Sequence, residues 1–184
     1  LMRPTLQGVY DNAVKPYLQL DKLREGMFWV AGELYGLRFS PVAGVPVYHP
    51  DVKACEVRDC DGRVVGIFLH DNFARASKRS GAWMSSFRCQ TRNGGDVIPI
   101  IVNNNNFAKA APGQPTLLSF DDVRTLFHEF GHGLHGLLSS VGYERLSGTN
   151  VLRDFVELPS QLFEHWMREP AVLRRHARHA VTGE

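Results

Sequence analysis

The stretch from Ser119 to Gly142 restricts the fold of this chain more than any other part of it. Ser119 followed by Asp122 forms an N-cap pair, and Asp121 and Asp122 fall where a helix dipole favours anions. Beyond them Val123, Leu126, Phe127, Phe130, Leu134, Leu137, Leu138 and Val141 recur with a period near 3.6. At ~100° per residue these apolar side chains cluster within about 60° of one direction, and His128 and His132 lie about 160° from it. The spacing predicts one helix with a buried apolar stripe and a separate face of imidazoles. Gly131, Gly133 and Gly136 stand inside that helix, each at a cost of ~1 kcal/mol against alanine. Three such residues predict that another segment, or a bound substrate, approaches the helix backbone very closely.

His128-Glu129-Phe130-Gly131-His132 reads H-E-x-x-H. Residues at i and i+4 project side by side, so the two imidazoles can hold one tetrahedral zinc ion. Glu129 between them is placed to act as general base on a water that attacks a polarised carbonyl. The pattern fixes only three positions, and its bland alternative is two solvated histidines beside a glutamate. Placement opposite the apolar stripe favours the chemical reading. Zinc needs a third protein ligand and an open position. The metzincin pattern would put Gly at 135 and His at 138; His135 and Leu138 stand there instead, which excludes it. Glu157, 25 residues past His132, offers the other common solution. It lies early in a second helix whose apolar run is Leu158, Leu162, Phe163, Trp166 and Met167, with Pro159 marking its start or a kink. Asp154, one turn earlier, is placed to accept a hydrogen bond from a ligand imidazole. His135 shares the imidazole face but sits a turn beyond His132, which makes it the weaker candidate for ligation.

Elsewhere, helical spacing with Pro16 near the start and Gly36 past the end predicts a core helix. Residues 1–15 read as a partly extended lead-in, and 41–50, with three prolines and a glycine, as a loop. Ala54–Arg58 and Arg63–Leu69, joined by Asp59-Cys60-Asp61-Gly62, carry a strong hairpin signal. Gly81–Phe87 and Val97–Val102 are two further β-prone runs, while Asp71–Ser80, Asn103–Asn106 and Pro112–Pro115 read as loops. The net charge of +2, from 21 basic and 19 acidic residues without a one-signed block, gives no reason to expect nucleic acid or an anionic membrane as partner. The basic stretch Arg174–His179 reads as a solvated helix face. No apolar run approaches the ~20 residues of a membrane span. Cys55, Cys60 and Cys89, an odd number without a C-x-x-C pair, favour a reducing compartment and so a cytoplasmic address. No signal-peptide pattern opens the chain, which does not begin with Met.

The runs FHEFGHGLHGLLS and LSGTNVLRDFVELPSQLFEHW resemble the thimet oligopeptidase family of zinc peptidases, most closely its bacterial peptidyl-dipeptidase and oligopeptidase A branch. The likeness extends upstream through VKPYLQLDKLREGMFWVAGELYGLRF, HDNFARASKRSGAWM and NNNNFAKAAPGQPTLLSFDDV. It implies His128, His132 and Glu157 as ligands of one zinc ion, Glu129 as the catalytic glutamate, and short peptides as substrates in a channel between two mainly helical lobes. It also implies that Gly81, Ala82, Trp83 and Met84 belong to an edge strand along which substrate lies. His70 departs from the family, whose members tend to carry an aromatic or apolar residue there.

The expected architecture is α+β and mainly helical, a zincin-like core with a small mixed sheet and an H-E-x-x-H helix. Residues 1–184 are expected to form one catalytic-core fragment, its sheet part about 37–102 and its zinc-binding helices about 119–184. The resemblance further implies N- and C-terminal regions of the same protein as partners, the latter carrying groups that stabilise the transition state. Zinc-dependent hydrolysis of oligopeptides, with release of C-terminal dipeptides as one form of it, is the leading expectation. The alternative is a zinc-binding or interaction fragment without turnover of its own, and a metal-free structural domain is a third.

Overall fold

The computed structural model describes residues 12–184, so most of the lead-in expected over 1–15 lies outside the described residues. Its last residues are helical rather than extended, and Lys15–Tyr17 forms a 3-10 turn. Helix α1 (Leu20–Tyr35) follows and ends as its glycine predicts, with Gly36 at φ 68° and its N–H bonded to the Gly32 carbonyl at 2.8 Å. Only a residue without Cβ takes that left-handed turn freely.

Five strands come next: β1 (Arg38–Pro41), β2 (Lys53–Arg58), β3 (Val64–Phe73), β4 (Trp83–Arg88) and β5 (Ile100–Phe107). They form one mixed sheet in the order β1-β2-β3-β5-β4, antiparallel throughout except between β3 and β5. The expected hairpin joins β2 to β3. Its turn is held by Asp59 Oδ1, which accepts the N–H groups of Asp61 and Arg63 at 2.9 Å each, and by Gly62 at φ 80°.

Three loop assignments are corrected. β1 occupies the start of what reads as a Pro-rich loop, because at the sheet edge Pro41 can sit in a strand. β3 runs on through Asp71 to Phe73. The third correction is the largest: Asn103–Asn106 lie within β5, Asn103 and Asn104 paired to β3 on one side and to β4 on the other, Asn105 and Asn106 at the break in register with β3. Asparagine is a poor strand former. Here side-chain amides do what apolar packing does elsewhere: Asn105 Nδ2 donates to Asn72 Oδ1 at 2.9 Å, and Asn106 Nδ2 donates to the Arg79 and Gly81 carbonyls at 2.8 and 2.6 Å.

Helix α2 (Phe120–Leu137) opens with the predicted capping box, Asp122 N–H donating to Ser119 Oγ at 3.1 Å and Ser119 N–H to Asp122 Oδ2 at 2.9 Å. Helices α3 (Arg153–Glu164) and α4 (Pro170–His176) complete the described chain. The architecture is therefore mixed α+β. Alternation along the strands divides the apolar residues between two faces. Phe68 and Ile101 join the main core with α1 and the α2 stripe, while Leu69 and Val102 lie in a smaller cluster with Val52 and Ala54. Phe130 sits inside the main core, its ring 5.3 Å from Phe68, 5.5 Å from Phe39 and 5.6 Å from Phe28. Among the described residues no helix is long and apolar enough to cross a membrane.

Two histidines outside the imidazole face are buried. His176, expected on a solvated basic face, packs instead against Gly26 and 5.8 Å from the Trp29 ring, because the glycine leaves room for it. His70 stacks 6.0 Å from Phe68, with Nδ1 3.3 Å from Asn72 Nδ2. It thus fills the aromatic position as a neutral ring. Burial, helped by the charges of Arg24 and Lys53, pushes its pKa down to about 3. The unfolded imidazole titrates near ~6.5, so below that pH the unfolded chain binds a proton that the folded chain refuses. Stability is whole above about pH 6.5 and is lost by ~1.4 kcal/mol per unit from this group down to its folded value. We expect His70→Phe to be less stable than the parent at neutral pH, since Asn72 loses a partner, yet to lose less stability on acidification. Urea midpoints at pH 7.5, 6 and 5 check this; parallel acid limbs would show that His70 does not set the slope.

Candidate metal centre

Helix α2 presents His128 and His132 on the side away from its core stripe, and α3 brings Glu157 up to them. Glu157 Oε2 lies 3.2 Å from His128 Nε2 and 3.1 Å from His132 Nε2. One donor atom from each of the three falls within 4.8 Å of the others. Two ligands of a tetrahedral zinc ion with bonds of ~2.05 Å stand about 3.3 Å apart, so these spacings and this N, N, O donor set fit the ion. Ser160 Oγ donates to Glu157 Oε2 at 2.9 Å and steadies it. Burial opposes ionisation of Glu157, but that hydrogen bond and the two imidazoles outweigh it and hold its carboxyl below the usual range. Burial lowers His132 as well, keeping the ring in the neutral form a metal ligand requires.

Glu129 is 6% exposed, and its Oε2 has no hydrogen-bond partner among the described residues. Burial, with the Glu157 charge adding and the His128 charge opposing, pushes its pKa up to about 7. A cavity of ≈ 310 Å³ opens beside it, lined by Ala82, Arg124, Thr125, His128, Glu129 and Glu164. Strand β4 forms that end of the sheet, and Ala82, just before it, reaches the cavity. Of the four residues expected in the edge strand, Trp83 and Met84 are in β4; Gly81 and Ala82 precede it in the loop.

The hydrogen-bond partner behind the imidazoles is not the expected one. Asp154 is exposed, and among the described residues no hydrogen bond joins it to either ring. Glu164 Oε1 instead lies 2.6 Å from His128 Nδ1. A signal for this was present: Glu164 follows Glu157 by seven residues, ~20° short of two full turns, so both carboxylates share one face of α3. His135 stays out of the cluster, its ring 6.2 Å from Phe155.

The close approach predicted from the glycines is observed at all three. A Cβ on Gly131 would stand 2.6 Å from Ser160 Cα and 2.7 Å from the Pro159 carbonyl oxygen. On Gly133 it would meet Asn103 at 3.2 Å, and on Gly136 it would meet Ile101 and Met84 at 2.7 Å. α2 is thus wedged between α3 and the β5-β4 end of the sheet, its glycines meeting backbone of α3 at Gly131 and side chains of the sheet at Gly133 and Gly136. Gly131→Ala tests this. Helix propensity alone would stabilise it by up to ~1 kcal/mol, whereas overpacking against rigid backbone costs about 1–3 kcal/mol. We expect a net loss in chemical denaturation together with weaker metal binding, because Pro159 and Ser160 carry Glu157; a stabilised variant would contradict the tight contact.

Comparison with known proteins gives one family. The model described as peptidase family M3 matches residues 2–184. A dipeptidyl carboxypeptidase of Salmonella typhimurium is 51% identical over 175 residues, which is 95% of this chain and 26% of that protein. Oligopeptidase A of Escherichia coli is 38% identical over 182 residues, 97% of this chain and 27% of the relative. The organellar oligopeptidase A of Arabidopsis thaliana is 34% identical over 191 residues, 100% of this chain and 24% of the relative. The chain spans about a quarter of the length of these curated relatives.

Proposed function

We propose a function from one premise: the chain belongs to peptidase family M3. In this reading it is the zinc-holding part of a peptidase that hydrolyses short oligopeptides. The observation that carries it is the convergence of His128, His132 and Glu157 from two helices, beside a buried, unpartnered Glu129 carboxylate oxygen. The three converging residues would hold one zinc ion. When bound, zinc supplies Lewis acidity that polarises a peptide carbonyl and acidifies water toward a pKa of about 7.

The chain's own groups do the rest. Glu129 takes the proton of the attacking water and returns it to the leaving amine, a task suited to a carboxyl held near neutrality. Glu164 accepts a hydrogen bond from His128 Nδ1, which fixes the tautomer that leaves Nε2 free for the metal. A peptide lying along the outer edge of β4 would be held through its backbone, with little demand on side chains. Release of C-terminal dipeptides, the activity in the printed name of the Salmonella typhimurium relative, is the finer form of the proposal. The free thiols Cys55, Cys60 and Cys89 support a reducing, cytoplasmic setting.

His128→Ala and His132→Ala are expected to lose zinc, each removing one of three protein ligands. Glu129→Gln should keep one zinc per chain while kcat on a quenched oligopeptide falls by about 10²-fold or more. Metal analysis beside turnover of the intact protein separates the two effects, and near-parental turnover in Glu129→Gln would remove Glu129 from the reaction.

Chelation should also lower the melting temperature. The ion bridges α2 and α3, and a ligand bound only by the folded state stabilises it by linkage. Equal melting curves with and without zinc, loss of metal being verified, would argue against a bridge between these helices.

A further inference from the structure

The geometry points to Asp71, Arg75 and Lys78 as a clamp that sets where strand β4 begins relative to the metal centre, and so how a peptide backbone is aligned there. This rests on the reading of β4 as the peptide-binding edge. Asp71 is wholly buried within β3, a costly place for a carboxylate unless it is fully paired. Arg75 grips it through two hydrogen bonds of 2.7 and 2.6 Å, and Tyr48 Oη donates to it at 3.2 Å. Lys78, with a side chain only 4% exposed, reaches the same carboxylate at 3.3 Å. Its ammonium also donates to the carbonyls of Asp71 and Phe73, at 3.0 and 2.9 Å, and to that of Asn105. Burial raises the Asp71 carboxyl, but the two cations outweigh burial and keep it charged.

This cluster sits where β3 and β5 lose register, between Asp71 and Phe73. The chain must leave β3 there, cross the end of β5 and enter β4 on the far side. Residues 74–82 make that crossing, and most are exposed, so no apolar anchor fixes their path. Polar bonds fix it instead. Lys78 ties the loop to both strands, Asn106 Nδ2 holds the Arg79 and Gly81 carbonyls, and the Arg79 guanidinium lies 4.3 Å from the Trp83 ring centre. Asp71, Asn104 and Trp83 occupy one cross-strand row, so the clamp and the start of the edge strand share a level of the sheet. The next residue back, Ala82, lines the cavity with His128 and Glu129. A buried ion cluster that merely stabilised the domain would have no need to hold this loop through three separate carbonyls.

The test is Lys78→Met in the intact protein, with Lys78→Arg as the conservative variant. We expect Lys78→Met to keep one zinc per chain and a kcat within about twofold of the parent, while KM for a fluorogenic oligopeptide rises about tenfold, as misalignment without loss of the reacting groups requires. Lys78→Arg should recover much of that rise. Hydrogen exchange gives a second readout that needs no turnover: residues 79–84 should exchange faster in Lys78→Met, with the α2 amides unchanged. If the parent protein hydrolyses no peptide, the peptidase reading fails and the exchange arm still decides the clamp. Unchanged exchange at 79–84, faster exchange throughout the domain, an unaltered KM, or a fall in kcat that tracks zinc loss would each overturn it.

Discussion

The contact between the backbones of α2 and α3 at Gly131 governs the rest of this structure. With Ser160 Cα and the Pro159 carbonyl so near the glycine, the two helices approach more closely than side chains would allow. That separation lets a carboxylate two residues before Pro159 reach imidazoles flanking Gly131. Any Cβ at 131 would lengthen the distances of 3.1 and 3.2 Å on which the donor cluster depends. Phe130 supplies the complementary restraint. Buried among Phe28, Phe39 and Phe68, it fixes the rotation of α2, so that its neighbours Glu129 and Gly131 face the cavity and α3. Aromatic packing sets the angle, and the missing Cβ sets the distance.

A different force shapes the sheet beside the centre. Its inner strands carry His70, Asp71, Asn72 and Asn103–Asn105, all buried, where an ordinary central strand would be apolar. Each such group is costly unless hydrogen-bonded. Most are paired, through Asn105 to Asn72, Asn72 to His70, and Asp71 to its two cations. Hydrogen bonds are directional where apolar contacts are not, so a polar interior specifies strand position more narrowly. That narrowness matters at the start of β4, next to Ala82, which lines the cavity.

The helices were legible in the sequence because their signals are local. The capping box at Ser119, the stripe from Val123 and the left-handed Gly36 depend on residues a few positions apart, and each stands where the spacing places it, except that the helix ends at Leu137 and leaves the stripe's last members, Leu138 and Val141, beyond it. The hairpin at Asp59–Gly62 was legible for the same reason. Asn103–Asn106 were not, since four asparagines signal a loop until β3 and β4 supply ladder partners for Asn103 and Asn104 from distant parts of the chain. At the candidate centre, His128, His132 and Glu157 were named from spacing and resemblance, and the structure brings their donor atoms together. Glu164 was missed for a physical reason. Of the three carboxylates of α3, Glu157 and Glu164 lie toward α2, but which of Asp154 and Glu164 reaches an imidazole depends on the crossing of the two helices, and that is set by the glycine contact.

Helix α3 shows how these restraints combine. Its carboxylates Glu157 and Glu164 turn toward α2, while Phe155, Leu158 and Leu162 are 47%, 53% and 59% exposed. A surface helix ordinarily does the reverse, burying its apolar stripe and solvating its charges. Burial of α3's own side chains therefore contributes little to its docking: Ser160 and Phe163 are its only buried residues. The docking rests on the Gly131 contact, on Phe163 between the Phe127 and Phe130 rings, on the hydrogen bond between His128 Nδ1 and Glu164, and on the approach of Glu157 to both imidazoles. Three of the four side chains in those polar contacts are the donors a zinc ion would gather. The interactions that dock α3 and those that would hold the metal are thus largely the same set, which makes the geometry of the centre and the packing of this helix a single equilibrium.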